Sequence, residues 1–221
     1  MTLSKSLYIR GLQCEKSLWL KKKKPEVLQA LCENAQAVFD TRTSVGGLAC
    51  ELFSSGERIE FSGDFDAQIA KTKELIKRGT KVIYEATFCF DGILVMVDIL
   101  RIGVDGLIIN EVKSSTSVKD VYIDDAAIQY YVISSLGHEV SRVNIIHIDS
   151  TYTRDETLEL EKLFCVQDIT EQVKQKQRDI PKILNKFDEI LSQNNEPSID
   201  IGVHCSNPYL CDAWEYCWRE Q

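Results

Sequence analysis

Long apolar runs, a secretion signal and a surplus of basic residues are all missing from this chain of 221 residues. No apolar stretch approaches the roughly 20 residues that a membrane-spanning helix needs, which excludes that class of protein. The first residues, Met1 to Tyr8, lack the charged and then apolar order of a secretory segment. We therefore expect a cytoplasmic protein with no membrane partner.

Proline and glycine are also scarce. Only four prolines and eleven glycines occur, and we find no internal repeat, low-complexity tract or flexible linker. Apolar residues make up 44% of the chain, which is ordinary for a protein with a buried core. We expect one domain over residues 1–221, a length typical of single domains.

Positive charge is low overall but unevenly distributed. The net charge of −8 argues against nucleic acid as a partner, because contacts with phosphates need Lys and Arg. Residues 1–30, however, hold seven basic and two acidic residues, which gives this stretch a charge of +5. A run such as Lys21 to Lys24 is more often a solvated surface than a binding site. The charge alone does not decide the question.

Cysteine, in contrast, is plentiful, with eight residues. In a reducing cytoplasm these predict metal binding or core packing rather than disulfides. Cys14 stands alone near the start, whereas Cys205, Cys211 and Cys217 close the chain with five residues between each pair. Zinc sites usually show close cysteine pairs, which this spacing lacks. Four thiolates suit a [4Fe-4S] cluster equally well.

The hydrophobic pattern predicts an α/β protein in three parts: a helical N-terminal part (1–79), a sheet (80–150), and a helical part with a cysteine-rich tail (151–221). The predicted N-terminal helices are Ser4 to about Lys22, Glu26 to Phe39, about Thr43 to Phe53, and Phe65 to Arg78. A further helix is predicted over Thr170 to Ile190, broken or kinked at Pro181. The segment after Gly202 has little apolar period, so we expect a metal centre to order it.

Alternating apolar residues predict the sheet between these helical parts. The predicted elements are strands Lys81 to Phe90, Ile93 to Ile102 and Leu107 to Ser114, a helix from Asp124 to Leu136, and a strand Val143 to Ile148. Asp91-Gly92 and Asp105-Gly106 are typical of tight hairpins. A strand–helix–strand unit normally places its two strands parallel. The sequence therefore predicts a mixed sheet of order α-β-β-β-α-β.

Two charged residues stand at apolar positions of the third strand. Glu111 and Lys113 are two residues apart, so their side chains leave the same face of the strand. That face also carries Leu107 and Ile109, which we expect to be buried. A buried carboxylate and ammonium group are costly unless they are paired, metal-bound or functional.

Asp98 poses the same question on the preceding strand. By alternation we expect it to share a face with Leu94, Met96 and Leu100. Antiparallel pairing across the second hairpin can bring Asp98 beside Glu111.

Convergent carboxylates are suited to Mg²⁺ or Mn²⁺. Such an ion, held by Asp98 and Glu111, would stabilise charge on a phosphate and lower the pKa of a bound water. Lys113 could hold that water and neutralise developing negative charge, and Gln129 on the next helix could orient it. The alternative is a structural ion pair inside the sheet. The combination of these four residues favours the catalytic interpretation.

These residues resemble the PD-(D/E)XK nucleases, in particular the RecB-like branch. That family carries an Asp on the second core strand, Glu-x-Lys on the third, and a helical Gln. Asp98, Glu111, Lys113 and Gln129 occupy these positions. The resemblance implies a restriction-endonuclease-like fold and cleavage of phosphodiester bonds to products with a 5′-phosphate and a 3′-hydroxyl.

The sequence departs from the RecB-like pattern at two places. Where that branch has a metal-binding His on an early helix, this chain has Cys50-Glu51, and its three histidines lie elsewhere. Glu51 or Glu85 could substitute, although Glu85 could equally be a surface residue at a sheet edge. The Gln-x-x-x-Tyr motif is also altered, because Ile133 follows Gln129 at the position of the tyrosine.

The cysteine arrangement is similar to that of iron–sulfur RecB-like exonucleases, which include the CRISPR-associated exonuclease family and the nuclease domain of AddB. The resemblance extends from Cys14 to Cys217 and implies that Cys14, Cys205, Cys211 and Cys217 bind a [4Fe-4S] cluster. The cluster would hold the last segment against the first helix.

The sequence thus predicts a single-domain, iron–sulfur, Mg²⁺- or Mn²⁺-dependent DNA exonuclease that acts on DNA ends or single strands. The basic segment Lys16 to Lys24 is a plausible contact for the strand. The rival is a non-catalytic DNA-binding or partner-binding module that keeps the fold and the cluster. A small electron carrier would leave Asp98, Glu111 and Lys113 unexplained.

Overall fold

The computed structural model describes residues 3–29 and 44–219. Its helices are α1 (Lys5–Gln13), α2 (Glu15–Lys23), α3 (44–51), α4 (Phe65–Arg78), α5 (Asp120–Ser135), α6 (Leu160–Leu163), α7 (Thr170–Lys176), α8 (Ile180–Ser192) and α9 (Trp214–Arg219). Its strands are β1 (Leu3–Ser4), β2 (Glu57–Arg58), β3 (Val82–Phe90), β4 (Ile93–Ile102), β5 (Leu107–Lys113), β6 (Val140–Ile148) and β7 (Phe164–Asp168).

The strands of the described residues form one mixed sheet in the order β2-β3-β4-β5-β6-β7, with the short β1 also paired to β4. Strands β3, β4 and β5 are antiparallel hairpin neighbours, and β6 runs parallel to β5 after the α5 crossover. The predicted α-β-β-β-α-β core is confirmed by the run α4-β3-β4-β5-α5-β6. The fold class is therefore α/β and restriction-endonuclease-like, as expected.

Apolar residues form a main core between the sheet and the helices α1 and α5, and α8 adds to this core by packing against α1. This core includes Ile109 and Val143 from the sheet, Ile128 from α5 and Phe187 from α8. A smaller cluster contains Ile99, Ile146 and Phe164 from the sheet and Ala49 from α3. Helices thus cover both sides of the strands that carry the predicted site.

The alternation of strand β3 inverts at Glu85. Ile83 and Ala86 both belong to the main core although they are three residues apart, while Tyr84 packs in the smaller cluster. Glu85 lies between them with a φ of +59°, in the left-handed region that non-glycine residues rarely adopt. A period-two pattern cannot continue through such a residue.

The partner strand β4 inverts at the same level, next to Asp98. Val97 and Leu100 both contact the main core, whereas Ile99 packs in the smaller cluster. The expectation that Asp98 shares one face with Leu94, Met96 and Leu100 is therefore wrong at Leu100. Simple alternation fails here because both strands change face together while their pairing register is kept.

Some helix boundaries differ from those predicted. The helix expected from Ser4 to Lys22 is interrupted at Cys14, whose extended backbone ends α1 and begins α2. The helix expected over Glu26–Phe39 lies mostly outside the described residues, and only a 3₁₀ turn at Pro25–Val27 is present in the described part. Pro181 lies in the first turn of α8, where proline is tolerated, so the predicted break falls just before it.

Two further differences concern the sheet region. Helix α5 begins at Asp120 rather than Asp124. Strand β7 (Phe164–Asp168) was not expected, because its short apolar run carries no clear period, and it pairs antiparallel with β6. In the described parts of the chain, no helix is long and apolar enough to cross a bilayer.

Glycine at position 11 allows α1 and α8 to pack closely, and we expect Gly11→Ala to destabilise the protein. A Cβ atom there would lie 2.5 Å from the buried ring of Phe187. Overpacking of this kind costs about 1–3 kcal/mol, against a gain of up to about 1 kcal/mol in helix propensity. Gly47→Ala in α3 is the matched control, because a Cβ there meets no atom of the described residues within 4 Å. Thermal unfolding should show a lower Tm for Gly11→Ala alone, and equal Tm values for the two variants would contradict this packing.

Candidate active site

Glu111 is the centre of a buried polar cluster on the face of the sheet that α1 and α5 cover. Glu111 is only 2% exposed to solvent. Its Oε1 accepts hydrogen bonds from Lys113 Nζ (2.6 Å) and Lys5 Nζ (2.8 Å), and its Oε2 accepts one from Gln129 Nε2 (2.7 Å). Burial opposes ionisation, but Lys113 and Lys5 hold the pKa of Glu111 below its usual value. Glu111 is therefore a carboxylate anion.

Asp125, which lies one helical turn before Gln129 on α5, is another carboxylate of this cluster. Its Oδ2 accepts a short hydrogen bond from Lys113, and its Oδ1 lies 3.3 Å from Lys5 Nζ. Burial raises the pKa of Asp125, and Glu111 adds to that effect. Burial lowers the pKa of Lys113, but Glu111 and Asp125 outweigh this and hold it well above the usual value. Both lysines are thus cations between carboxylates.

Asp98 reaches the same cluster from β4. The register of β4 and β5 pairs Ile99 with Asn110, which puts Asp98 opposite Glu111 as predicted. The Asp98 Oδ2 atom accepts a hydrogen bond of 2.7 Å from the backbone N–H of Val112. Burial and the nearby Glu111 raise the pKa of Asp98 to about 7, despite the opposing effect of Lys5 and Lys113. Asp98 is therefore the carboxylate whose charge is least compensated.

Gln129 is fully buried, and its amide nitrogen also contacts the backbone oxygen of Asp125 at 3.3 Å. Its Oε1 atom finds no hydrogen-bond donor among the described residues. A buried acceptor without a donor is costly, and an additional donor such as a water would satisfy it. The predicted role of Gln129 in orienting a water is compatible with this geometry.

The donor set of the cluster fits Mg²⁺ or Mn²⁺, which prefer carboxylate oxygens. No three His, Cys, Asp or Glu side chains of the described residues converge closely enough to enclose a metal ion. A protein commonly holds Mg²⁺ with only one or two carboxylates, while waters and substrate phosphates complete the coordination. Asp98 and Glu111 meet that lower requirement.

Residues at the position of the family's helical His lie at the border of this cluster. Cys50, at the end of α3, has its Sγ atom 3.4 Å from Arg58 Nη2, and Arg58 Nη1 lies 3.5 Å from Glu85 Oε1. Burial raises the pKa of Glu85, with Glu111 contributing, and Asp98 adds slightly to the burial effect that raises the pKa of the Cys50 thiol. Glu51 is exposed. A metal-binding role for Glu51 or Glu85 stays a prediction.

The sequence alone did not lead us to predict Lys5 and Asp125 as site residues, although the position of each in its helix is informative. Asp125 precedes Gln129 by four residues, so the two share a helix face. Lys5 is the first residue of α1, where the helix dipole favours an acidic side chain and disfavours a cation.

The four predicted cysteines come together at a second site, where they line one cavity between α1, α2 and the tail. Cys14 lies at the break between α1 and α2. Burial raises the pKa of its thiol, while the backbone N–H groups of Ser17 and Lys16 oppose this. The Sγ atom of Cys211 lies 3.5 Å from the hydroxyl of Ser17. Cys205 is buried, and Cys217 is partly buried.

Polar contacts also hold the tail on the first helix. Arg10 makes two hydrogen bonds to the carboxylate of Asp212, at 2.6 and 2.7 Å. Gln13 donates to the backbone oxygens of His204 (2.8 Å) and Tyr209 (2.6 Å). These contacts fix the relative position of the cysteines from the two ends of the chain.

No protein-family model matches the sequence, and no curated protein matches it. Among solved structures, the chain is similar to the crystal structure of an alkaline exonuclease (LHK-Exo) from Laribacter hongkongensis, with a TM-score of 0.33 and 14% sequence identity. The alignment covers 79% of this chain and 88% of that chain. A likeness this distant leaves the activity to be argued from the site itself.

Proposed function

We propose that this chain is a metal-dependent nuclease that hydrolyses phosphodiester bonds of DNA. The observation that carries the proposal is the buried cluster of three carboxylates and two lysines around Glu111. It contains Asp98, Glu111 and Lys113 and contacts Gln129, which are the four residues that resemble PD-(D/E)XK nucleases. A set of charges removed from water is expensive, and apolar residues of similar size often stabilise a protein as well or better. A catalytic function explains why the protein keeps these buried charges despite their cost in stability.

In the proposed mechanism Asp98 and Glu111 would hold Mg²⁺ or Mn²⁺, which would stabilise negative charge on the phosphate and lower the pKa of a water molecule. Lys113 donates a hydrogen bond towards the attacking water and neutralises negative charge that develops on the phosphate. Gln129 keeps Glu111 oriented through its Nε2 and can hold a water with its Oε1. Asp125 fixes the ammonium group of Lys113.

We further propose that the four cysteines bind a [4Fe-4S] cluster. All four thiols line one cavity. The spacing of Cys205, Cys211 and Cys217 lacks the close cysteine pairs that zinc sites usually show. Four thiolates are the usual ligand set of a [4Fe-4S] cluster.

Cleavage of end-labelled single-stranded DNA tests the proposed activity. We expect the wild-type protein to shorten the strands when Mn²⁺ is present and to be inactive with EDTA. Lys113→Ala should lower the rate at least 100-fold, because it removes the ammonium group next to the reacting phosphate. The comparison is made below the Tm of the variant, since Lys113 also belongs to a buried ion-pair network. Labels at the 5′ or 3′ end, and an RNA strand of the same sequence, define polarity and substrate.

The rival function, a non-catalytic module that binds DNA or a protein, draws its support from Cys50 at the position of the family's His. The same assay separates the two. A folded wild-type protein that binds the strands but leaves them uncut with Mn²⁺ and with Mg²⁺ would contradict the nuclease and favour the module.

A further inference from the structure

Lys5 is placed in the candidate active site by an anchored N-terminal segment. Strand β1 pairs with the start of β4, and the backbone N–H of Leu3 donates to the oxygen of Gly92 at 2.8 Å. Ser4 caps α1 by accepting a hydrogen bond from the N–H of Leu7. Tyr8 is buried against Phe187. Because these contacts already fix α1, its attachment to the sheet does not depend on the ion pairs of Lys5.

Both lysines compete for the same oxygen atom. Lys113 and Lys5 both donate to Glu111 Oε1, whereas Oε2 accepts from Gln129. A divalent cation that binds Oε1 must therefore displace one of the two lysines. Lys113 is held additionally by a hydrogen bond to Asp125 Oδ2, whereas Lys5 lies 3.3 Å from the other oxygen of Asp125 without a hydrogen bond to it. Lys5 therefore makes fewer hydrogen bonds in the cluster than Lys113, and its side chain is 22% exposed.

The balance of charge shows what a displaced Lys5 would contact. With their carboxylates ionised, Asp98, Glu111 and Asp125 carry three negative charges against two positive charges from the lysines, and the neighbouring Glu85 and Arg58 cancel each other. A divalent cation changes the total from −1 to +1, which favours one phosphate group. Without Lys5 the loaded site would be neutral, and its attraction for phosphate would be weaker.

We propose that Lys5 is a second active-site lysine, which neutralises Glu111 and Asp125 in the metal-free site and contacts a phosphate oxygen of the DNA when a divalent cation is bound. The proposal rests on the nuclease function and adds a residue to its machinery. It involves no covalent step, because the ammonium group only exchanges one oxygen partner for another.

The test compares Lys5→Met with wild type in three measurements, with Lys73→Met as the control. Methionine keeps an unbranched apolar side chain in place of the lysine stem, and Lys73 is an exposed lysine of helix α4, outside both the candidate active site and the basic segment Lys16 to Lys24. Mn²⁺ affinity is measured by calorimetry without DNA, DNA affinity by fluorescence anisotropy in Ca²⁺, and cleavage as kcat and KM in Mn²⁺.

We expect Lys5→Met to bind Mn²⁺ about tenfold more tightly, because a competing cation within hydrogen-bond distance of Glu111 is gone. We also expect it to bind DNA more weakly and to lose at least tenfold in kcat/KM, while Lys5→Arg recovers part of that loss. Lys73→Met should match wild type in Mn²⁺ affinity and kcat. The decrease in DNA affinity separates this role from a purely structural one, since a lysine that only neutralised the carboxylates would not contact the phosphate.

Two results would overturn the proposal for Lys5: Mn²⁺ affinity of Lys5→Met equal to or weaker than that of wild type, or DNA affinity in Ca²⁺ no lower than that of Lys73→Met. Neither result depends on cleavage. A wild-type protein that binds Mn²⁺ and DNA but cuts nothing would instead overturn the nuclease function, and the two binding measurements would still decide the role of Lys5.

Discussion

Asp98→Asn should abolish Mn²⁺-dependent cleavage and at the same time raise the thermal stability of the metal-free protein. The amide keeps the size of the carboxylate and can still accept the hydrogen bond from the N–H of Val112. It cannot supply an anionic ligand, so we expect a loss of at least 100-fold in kcat/KM. Stability should rise because the substitution removes a buried charge that Glu111 repels.

The pKa of Asp98 predicts how this stabilisation depends on pH. In the folded protein the pKa is raised to about 7, against about 3.9 in an unfolded chain. Between these values the folded state binds the proton more tightly, so its free energy of unfolding falls as the pH rises from about 4 to 7 and then levels off. Asp98→Asn has no titrating group at this position, so its free energy of unfolding does not fall in this way as the pH rises. Its advantage in Tm over wild type should be small at pH 5 and largest above pH 7.

Asp91→Asn is the matched control, because the same chemical change is made at the exposed turn of the same hairpin. It should leave activity and the pH dependence of Tm unchanged. A strong decrease in the Tm of Asp98→Asn at pH 8, together with an inactive wild type, would show that Asp98 belongs to a structural network instead.

The strands of the candidate active site could be predicted because two signals agree there, the alternation of apolar residues and the Asp-Gly turns. The Asp-Gly turns set the hairpins, and the register between β4 and β5 then brings Asp98 opposite Glu111. The position of Gln129 could be predicted because a helix that connects two parallel strands packs its inner face against the sheet. The structure brings all three residues and Lys113 together as expected.

What the sequence could not supply is local geometry that depends on distant partners. The inversion of both strands at Glu85 and Asp98 needs a left-handed residue within a strand, and a glutamate gives no sign of that conformation. Lys5 is separated from Glu111 by 106 positions along the chain, so only tertiary pairing of β1 with β4 brings them together. Strand β7 was missed because its short apolar run does not distinguish a strand from a helix.

The break at Cys14 illustrates the same limit at the cysteine site. The apolar pattern continues through this residue, which is why one long helix was expected. In the structure the extended backbone at Cys14 turns its thiol towards the N–H groups at the start of α2 and towards the tail cysteines. The helical periodicity gives no sign of the break between α1 and α2, and only the cysteine at this position sets it apart from the rest of the predicted helix.

Cys211→Ser should lose the iron and release the tail, while the sheet stays folded. We expect anaerobically purified wild-type protein to be brown and to contain about four irons per chain, as for a cluster with four cysteine ligands. The tail has few buried apolar residues, among them Ala213 and Cys205. Without the cluster it depends on contacts such as the partly exposed Arg10–Asp212 pair, and ion pairs of this kind contribute little.

Limited proteolysis and iron analysis together check this expectation. Protease should cut Cys211→Ser near residues 193–202, before the cysteine cavity, and spare wild type, while circular dichroism of the remaining core stays similar. Cys89→Ser, a cysteine of strand β3 outside the cavity, should keep its iron and resist cleavage like wild type. Stoichiometric zinc without iron would reject the cluster. Equal protease resistance of all three proteins would mean that the polar contacts of Arg10 and Gln13 suffice to hold the tail.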